Sequence, residues 1–414
     1  MPSEPARAYV WAWLPGATEP VVAGVLEPAG ELLEFTYGRG YLERSDAIAL
    51  YLPELPLQPG RQRPPGGMRV AGVIQDAGPD SWGQRVLMHR LLDRARRQDD
   101  PAELGVLTYL LESASNRTGA LDFQASPEEY AARESGGTLE ELLTAAERFD
   151  AGEPLSPELD AALLGGSTLG GARPKATLVD EQGRQLVAKF SSVDDRYPVV
   201  KAEGLALELA RRVGLTVANT EVVECLGRDV LIAERFDRTA VPGERRMMVS
   251  ALTILELDEI SGRYATYYDL ADVIRARFVN AKTTLRELFS RIVFNICIGN
   301  TDDHARNHSA LWDGKLLELT PAYDLTPIVR TGGEARQAMA IGRDGYQMSQ
   351  LAGCVPHAET YLLSPAEAKE IIDGQLEVIR TQCREAADAA RLTKVERDNL
   401  WGSAILNRYA LDAP

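Results

Sequence analysis

Leu288, Phe289, Ile292, Val293 and Ile296 recur at helical spacing and lead to Gly299, and the next ten residues read NTDDHARNHS. Carboxylates, amides and imidazoles packed this densely at the end of a buried helix are hard to explain by packing alone, because ionisable groups beside a core are costly unless they are paired or used. The plain alternative is a helix C-terminal loop with polar capping. The chain around this cluster has 414 residues, enough for two or three domains with a sizeable core. Sixty-one acidic against forty-five basic residues leave a net charge of −16, which argues against direct, non-specific nucleic-acid binding by the whole chain. Cys225, Cys297, Cys354 and Cys383 form no CxxC pair, so neither a zinc site nor a disulfide framework is expected. The opening MPSEPARAYVWAWLPG lacks the basic and apolar regions of a signal peptide, and no apolar run reaches the ~18 residues of a membrane span. The expected location is cytoplasmic.

The order of patterns along the chain suggests a β-rich amino half and a helical carboxyl half. YVWAWL, VVAGVL and LLEFTYG, within residues 8–37, are separated by turn-like PGATEP and EPAG and read as a β-meander. Residues 52–67 are rich in Pro and Gly and read as a surface loop. A helix is expected after Asp80, carrying Trp82, Val86, Leu87 and Leu91 on one face. Its continuation holds Arg90, Arg94, Arg96 and Arg97, which read as a solvated face before a binding patch. TLVDEQG and QLVAKF predict a hairpin; Glu203, Leu205, Ala206, Leu209, Ala210 and Val213 predict a helix stopped by Gly214. VANTEVVEC and GRDVLIAERF add two strands, and SPAE and TKVE later begin helices with capping boxes.

Several motifs accompany the opening cluster. In TLGGARPKA, residues 168–176, Gly170 and Gly171 permit close backbone approach to an anion, with Arg173 and Lys175 nearby; a plain turn would look the same. Lys189 lies in an apolar strand, LVAKF, where it must snorkel or be paired, and Glu203 on the following helix is a candidate partner. Asp302 and Asn307 stand D-x-x-x-x-N, the spacing of a protein-kinase catalytic loop. Asp313-Gly314 predicts a two-residue hairpin turn, beyond which Asp324, in AYDLTP, occupies the place of a kinase's metal-binding aspartate. DVLIAERFDR, residues 229–238, reads as a strand entering a hinge, or simply as a strand ending in a charged loop.

In chain order, STLGGARPK, AKF, AERFDR, GNTDDHARN and PAYDLTP resemble the HipA family of serine/threonine kinase toxins. WAWLPG, QDAGPDSWGQRVL and SNRTGALDF resemble that family's amino-terminal subdomain. The resemblance implies an α+β, protein-kinase-like two-lobed fold with a β-rich N-lobe and a helical C-lobe, preceded by a β-rich amino-terminal subdomain. The implied divisions are 1–125, 126–240 and 241–414. It further implies that Lys189 and the Gly170-Gly171 loop bind the phosphates of ATP, that Glu234 and Phe236 meet the adenine through their backbone, and that His304 lies beside the nucleotide. Asp302 would be the catalytic base, and Asn307 and Asp324 would hold Mg²⁺. Family members autophosphorylate a serine before the glycine pair; Thr168 aligns with it here, next to Ser167. The implied substrate is a protein hydroxyl, with aminoacyl-tRNA synthetases as family targets. The implied partner is a HipB-like helix-turn-helix antitoxin, through which alone DNA would be contacted. Three other readings stay open: a kinase-fold enzyme acting on a small-molecule or lipid hydroxyl, a metal-dependent hydrolase built on Asp302, Asp303, His304 and His308, and a non-catalytic binding module.

Overall fold

The computed structural model describes residues 5–91, 104–133, 136–192, 195–330 and 333–412. Arg94, Arg96 and Arg97 lie outside the described residues; Arg90, at the end of the helix Ser81–Leu91, faces Asp160 at 3.8 Å. The expected meander forms as β1 (Ala8–Ala12), β2 (Val21–Ala29) and β3 (Leu32–Tyr37), joined by the short β4 (Arg61–Gln62) and by β5 (Leu121–Gln124). The sheet order is β4-β3-β2-β1-β5, entirely antiparallel. Because β5 pairs with β1, Tyr9 opposite Gln124, the first sheet is completed only after a long excursion through helices.

A second antiparallel sheet has the order β6-β7-β9-β8, built from β6 (Lys175–Val179), β7 (Gln185–Lys189), β8 (Thr220–Cys225) and β9 (Arg228–Glu234). Its two faces are both buried, as the near-continuous apolar run of β9 requires. Val230 and Ile232 face the helices Leu139–Ala151 and Pro157–Leu164 through Leu142, Leu143 and Leu163, whereas Leu231 faces the helix Val199–Arg212 through Leu205 and Leu209. Trp82 and Val86 also enter the first of these cores, so the helix after Asp80 serves the second sheet although it precedes it by ninety residues. The capping boxes at Ser364 and Thr393 form, and Thr138 adds a third.

The carboxyl half is helical around Ala281–Ile298 and Pro365–Ala389, with one small sheet, β10-β11-β12, from β10 (Met247–Ser250), β11 (Ser309–Trp312) and β12 (Leu317–Leu319). The predicted β11–β12 hairpin is present, but its turn is longer than two residues. Trp312 pairs with Leu317, leaving residues 313–316 as the loop. Asp313 Oδ1 accepts from the amides of Lys315 and Leu316, both at 2.8 Å, so the aspartate caps a wider turn instead of forming a tight one.

Several contacts bind the first sheet's segment to the rest, among them Asp76 Oδ2 accepting from the Ser250 amide at 2.7 Å and two larger ones, the first centred on Trp312. Trp312 donates from Nε1 to Ala49 O at 2.9 Å and meets Tyr51 edge-on, and Tyr51, Phe35 and Leu26 share one apolar core with Phe289, Ile292 and Trp312. The second contact is polar. Arg235 and Arg238, in the AERFDR segment, clasp Asp237 at 2.7 and 3.0 Å and donate to the carbonyl of Arg117, each at 2.6 Å. Asp237 in turn accepts from the Gly119 amide at 2.7 Å, and Arg117, fully buried, pairs with Asp122. The charges of AERFDR thus lock onto SNRTG, two motifs that looked unrelated in the sequence.

Burial pushes the Asp237 carboxyl up, but Arg235 and Arg238 outweigh it and hold it below the ordinary carboxylate range. A depressed folded pKa contributes stability that is present above the ordinary aspartate value of about 4 and is lost as pH falls below it. Asp237→Asn, which leaves two buried guanidinium groups beside a neutral amide, should cost about 3 kcal/mol in denaturant unfolding at neutral pH. It should also flatten the loss of stability on acidification; an unchanged midpoint and acid limb would show that the clasp adds nothing.

Candidate active site

Lys189, the last residue of β7, points across the sheet's inner face into a setting where an unpaired ammonium would be costly. Its Nζ lies 2.6 Å from Glu203 Oε1 and 2.6 Å from Asp324 Oδ1. Glu203 is 5% exposed on the helix Val199–Arg212, and Asp324 sits on the loop after β12. One side chain therefore ties a strand, a helix and a loop of the opposite lobe. Burial alone would lower the Lys189 pKa; Asp324 and Glu203 outweigh it and raise it. Reciprocally, the Lys189 ammonium holds Asp324 below the usual carboxylate range. Asp324 adopts φ 57°, a left-handed backbone that a non-glycine residue takes only at a cost and that clusters at functional sites. Leu325 is buried beside it, and the Tyr323 hydroxyl donates to Arg306 O at 2.6 Å, so both neighbours hold the turn in place.

The NTDDHARNHS loop begins at the left-handed C-cap Gly299, where a Cβ would stand 2.6 Å from Ala404 O. Its two aspartates have opposite environments. Asp302 is exposed, its amide held by Asn300 Oδ1 at 3.3 Å and its carbonyl accepting from Asn307 Nδ2 at 3.1 Å. Asp303 is 1% exposed and accepts from Asn295 Nδ2 at 2.8 Å, from His308 Nε2 at 3.0 Å and from the Tyr267 hydroxyl. The expected metal-hydrolase grouping is therefore split, since Asp303 and His308 are spent on each other in the core. Among the described residues no group of three or more His, Cys, Asp or Glu side chains converges to hold a metal. His304 is half-buried, close enough to Asp324 to act on it electrostatically, and its buried Nδ1 has no partner among the described residues. Asn307 is 8% exposed and lies between Asp302 and β11.

The remaining expected residues lie around the end of β9 and before β6. Glu234 ends β9, and its amide is already committed to Asn219 O at 2.9 Å. Phe236 is half-buried with its ring 5.8 Å from that of Tyr323. Gly170 and Gly171 are exposed at the tip of the loop before β6, and Gly171 takes φ 109°, open to glycine. A Cβ there would collide with Lys175 Nζ, which donates to the Gly170 carbonyl. Arg173 is drawn off to Asp195 at 2.5 Å. Ser167 and Thr168, by contrast, are both buried: Thr168 Oγ1 donates to Asn116 O at 3.1 Å, and Ser167 Oγ has no partner among the described residues. Sequence reasoning missed the anchoring role of Asn295, Tyr267 and His308. A lone asparagine within an apolar helix was the signal that could have found the first.

Comparison with known proteins follows the same outline. A family model described as the HipA-like C-terminal domain matches residues 167–384, which contain Lys189, Glu203, Asp302, Asn307 and Asp324. The serine/threonine-protein kinase toxin HipA of Shewanella oneidensis is 28% identical over 158 residues, covering 34% of this chain and 36% of that protein. A putative kinase, Y4mE, of Sinorhizobium fredii is 29% identical over 157 residues, covering 36% of this chain and 37% of that protein. These alignments span little more than a third of the length of the curated relatives. The solved structure of Shewanella oneidensis HipA, in a complex with HipB and its operator DNA, superposes with a TM-score of 0.62 at 20% identity over 92% of each chain. The fold is the two-lobed, kinase-like α+β architecture, and the chain belongs to the HipA family.

Proposed function

We propose that this chain is an ATP-dependent serine/threonine protein kinase of the HipA toxin type, transferring the γ-phosphoryl group to a protein hydroxyl. The observation that carries the reading is the Lys189 bridge to Glu203 and Asp324, both at 2.6 Å. A lysine held this way, beside a flexible glycine loop, is placed to receive anionic phosphates while remaining charged. Asp302, exposed with its backbone fixed by Asn300 and Asn307, is assigned as the base that takes the hydroxyl proton. Asn307 and Asp324 offer the amide and carboxylate oxygens that Mg²⁺ prefers, and the ion would neutralise phosphate charge there while keeping several waters. His304, with its unpartnered Nδ1, is assigned to the nucleotide's edge, and Glu234 and Phe236 to the adenine. Since the Glu234 amide is taken, its contact falls to the carbonyl. The divisions 1–125, 126–240 and 241–414 are kept as working units of this scheme.

Autophosphorylation is assigned to Thr168 or its neighbour Ser167. Both hydroxyls are buried, so either can be modified only when the segment before β6 leaves its packed position. A phosphate would add nearly two negative charges at a site that has no room for them, favouring the displaced arrangement. The likeness to the HipA–HipB–operator complex supports a HipB-like antitoxin as partner, with DNA reached through that complex, and a cytoplasmic setting. No described helix is long and apolar enough to cross a membrane. An aminoacyl-tRNA synthetase is the substrate class proposed from the family.

Asp302→Ala and Asp324→Ala should each abolish transfer of labelled phosphate from ATP, and full activity in the Asp302 variant would sink the assignment of the base. Asp303→Ala should act differently: it strands the hydrogen-bonding groups of Asn295 and His308 in the core and should lower the unfolding free energy by about 2 kcal/mol, with a lower midpoint. A midpoint equal to wild type would remove Asp303 as the loop's anchor. Mass spectrometry after incubation with ATP should place a phosphate on Thr168 or Ser167 in the active chain and on neither in Asp302→Ala. Expression should slow growth only when Lys189 and Asp302 are intact; equal toxicity of the inactive variants would point to a role outside phosphoryl transfer.

A further inference from the structure

The first turn of the helix Ser81–Leu91 is pressed against the glycine loop that precedes β6. Gly83 lies so close to the Ser167 carbonyl that any side chain there would collide with it. Arg85 Nη2 donates to Ala172 O at 3.2 Å, across eighty-seven residues of sequence. Between these two contacts stands Asp80. Among the described residues its buried Oδ2 has no hydrogen-bond partner, and it is 3.9 and 4.0 Å from where side chains would begin on Gly170 and Gly171. The carboxylate also caps the helix through the amides of Gly83, at a long 3.5 Å, and Trp82. Capping the helix therefore leaves Oδ2 uncommitted.

What faces Asp80 is Lys175. The lysine is 4% exposed, donates to the Gly170 carbonyl and fills the space beside Gly171. Burial lowers its pKa; Asp80 is the largest opposing influence, ahead of Asp324, while Lys189 repels it. Asp80 itself is pushed up to about 6 by burial, with Lys175 and Arg306 opposing. A buried ammonium with one carbonyl acceptor is helped to stay charged by a nearby carboxylate. Asp80 makes no direct ion pair with Lys175 among the described residues; it acts on it across the space beside Gly171 that both border, and it comes from a segment outside the matched kinase region.

We propose that Asp80 is a positioning residue of the nucleotide site: it keeps Lys175 charged and seated under Gly170 and Gly171, and so sets the shape in which the loop meets the phosphates of ATP. The inference rests on the kinase reading above. It makes the amino-terminal segment a working part of the nucleotide site.

The test uses the full chain, with Mg²⁺ and ATP as the probe. Asp80→Asn preserves shape and removes the charge, and should raise both the Kd and the KM for ATP about tenfold while kcat in autophosphorylation changes less than about twofold. The melting temperature without nucleotide should match wild type, and Asp80→Glu should restore part of the affinity. On a Lys175→Met background, Asp80→Asn should cost nothing further, because the partner through which it acts is gone. If Asp80→Asn does not fold, the exposed Arg85→Ala tests the same clamp and should raise the KM in the same direction. An unchanged KM in Asp80→Asn, or an equal loss on the Lys175→Met background, overturns the proposal. Wild-type binding of ATP that depends on Lys189 keeps the kinase reading standing in that case. A wild-type chain that binds no ATP overturns the kinase reading and the inference together.

Discussion

The paired charge of Lys189 is the interaction on which the two lobes depend. The ammonium is largely withdrawn from water at the end of a mostly apolar strand, and Glu203 and Asp324 reach it from two other elements. Pairing of this kind is geometrically exacting. The helix must present Glu203 at its second turn, and the loop after β12 must adopt a left-handed residue at Asp324. The strain at Asp324 is thus part of the same arrangement that keeps the lysine charged. The rest of the cleft is arranged around this bridge. Tyr323 steadies the strained turn from below, and the NTDDHARNHS loop is fixed by a second, wholly buried set of hydrogen bonds centred on Asp303.

The contrast between Asp302 and Asp303 shows how adjacent identical residues divide structural and chemical work. Asp303 spends its oxygens on three donors in the core and is the reason the loop has one shape. Asp302 makes its bonds through the backbone alone, which leaves its carboxylate at the surface. A rigid neighbour and an uncommitted side chain are what a proton acceptor requires. Next to them, the buried hydroxyls of Ser167 and Thr168 show the opposite condition, with reactive groups packed out of reach.

Much of this was legible in the sequence because periodicity and turn chemistry are local. The meander, the β6–β7 hairpin, the helix ending at Gly214 and the capping boxes at Ser364 and Thr393 follow from patterns a few residues long. Glu203 could be nominated as the partner of Lys189 because a lysine in an apolar strand demands one, and the structure does bring the two together; Asp324 is nominated by its place after the hairpin as a metal-binding aspartate, and its contact with Lys189 is not foreseen. The width of the turn at Asp313 was misjudged, since side-chain capping by an aspartate competes with the tight turn that Asp-Gly otherwise favours. Long-range pairings were out of reach altogether. Nothing local says that Arg235 and Arg238 find the carbonyl of Arg117, or that Asp80 lies opposite Lys175. Such contacts are made between segments about 95 to 120 residues apart, and a charge pattern read along one segment cannot name its partner.

The shared apolar core has a consequence for how this protein can be taken apart. Leu26, Phe35 and Tyr51 of the first sheet's segment pack in one continuous interior with Phe289, Ile292 and Trp312. Trp82 and Val86, from the same segment, complete the separate core behind the second sheet. A fragment beginning near residue 126 would therefore uncover two apolar faces at once and lose the clasp around Asp237. The chain is divisible on paper into three modules, yet it is packed as one unit: proteolytic trimming at the apparent boundary would yield an aggregating piece, not a smaller folded protein.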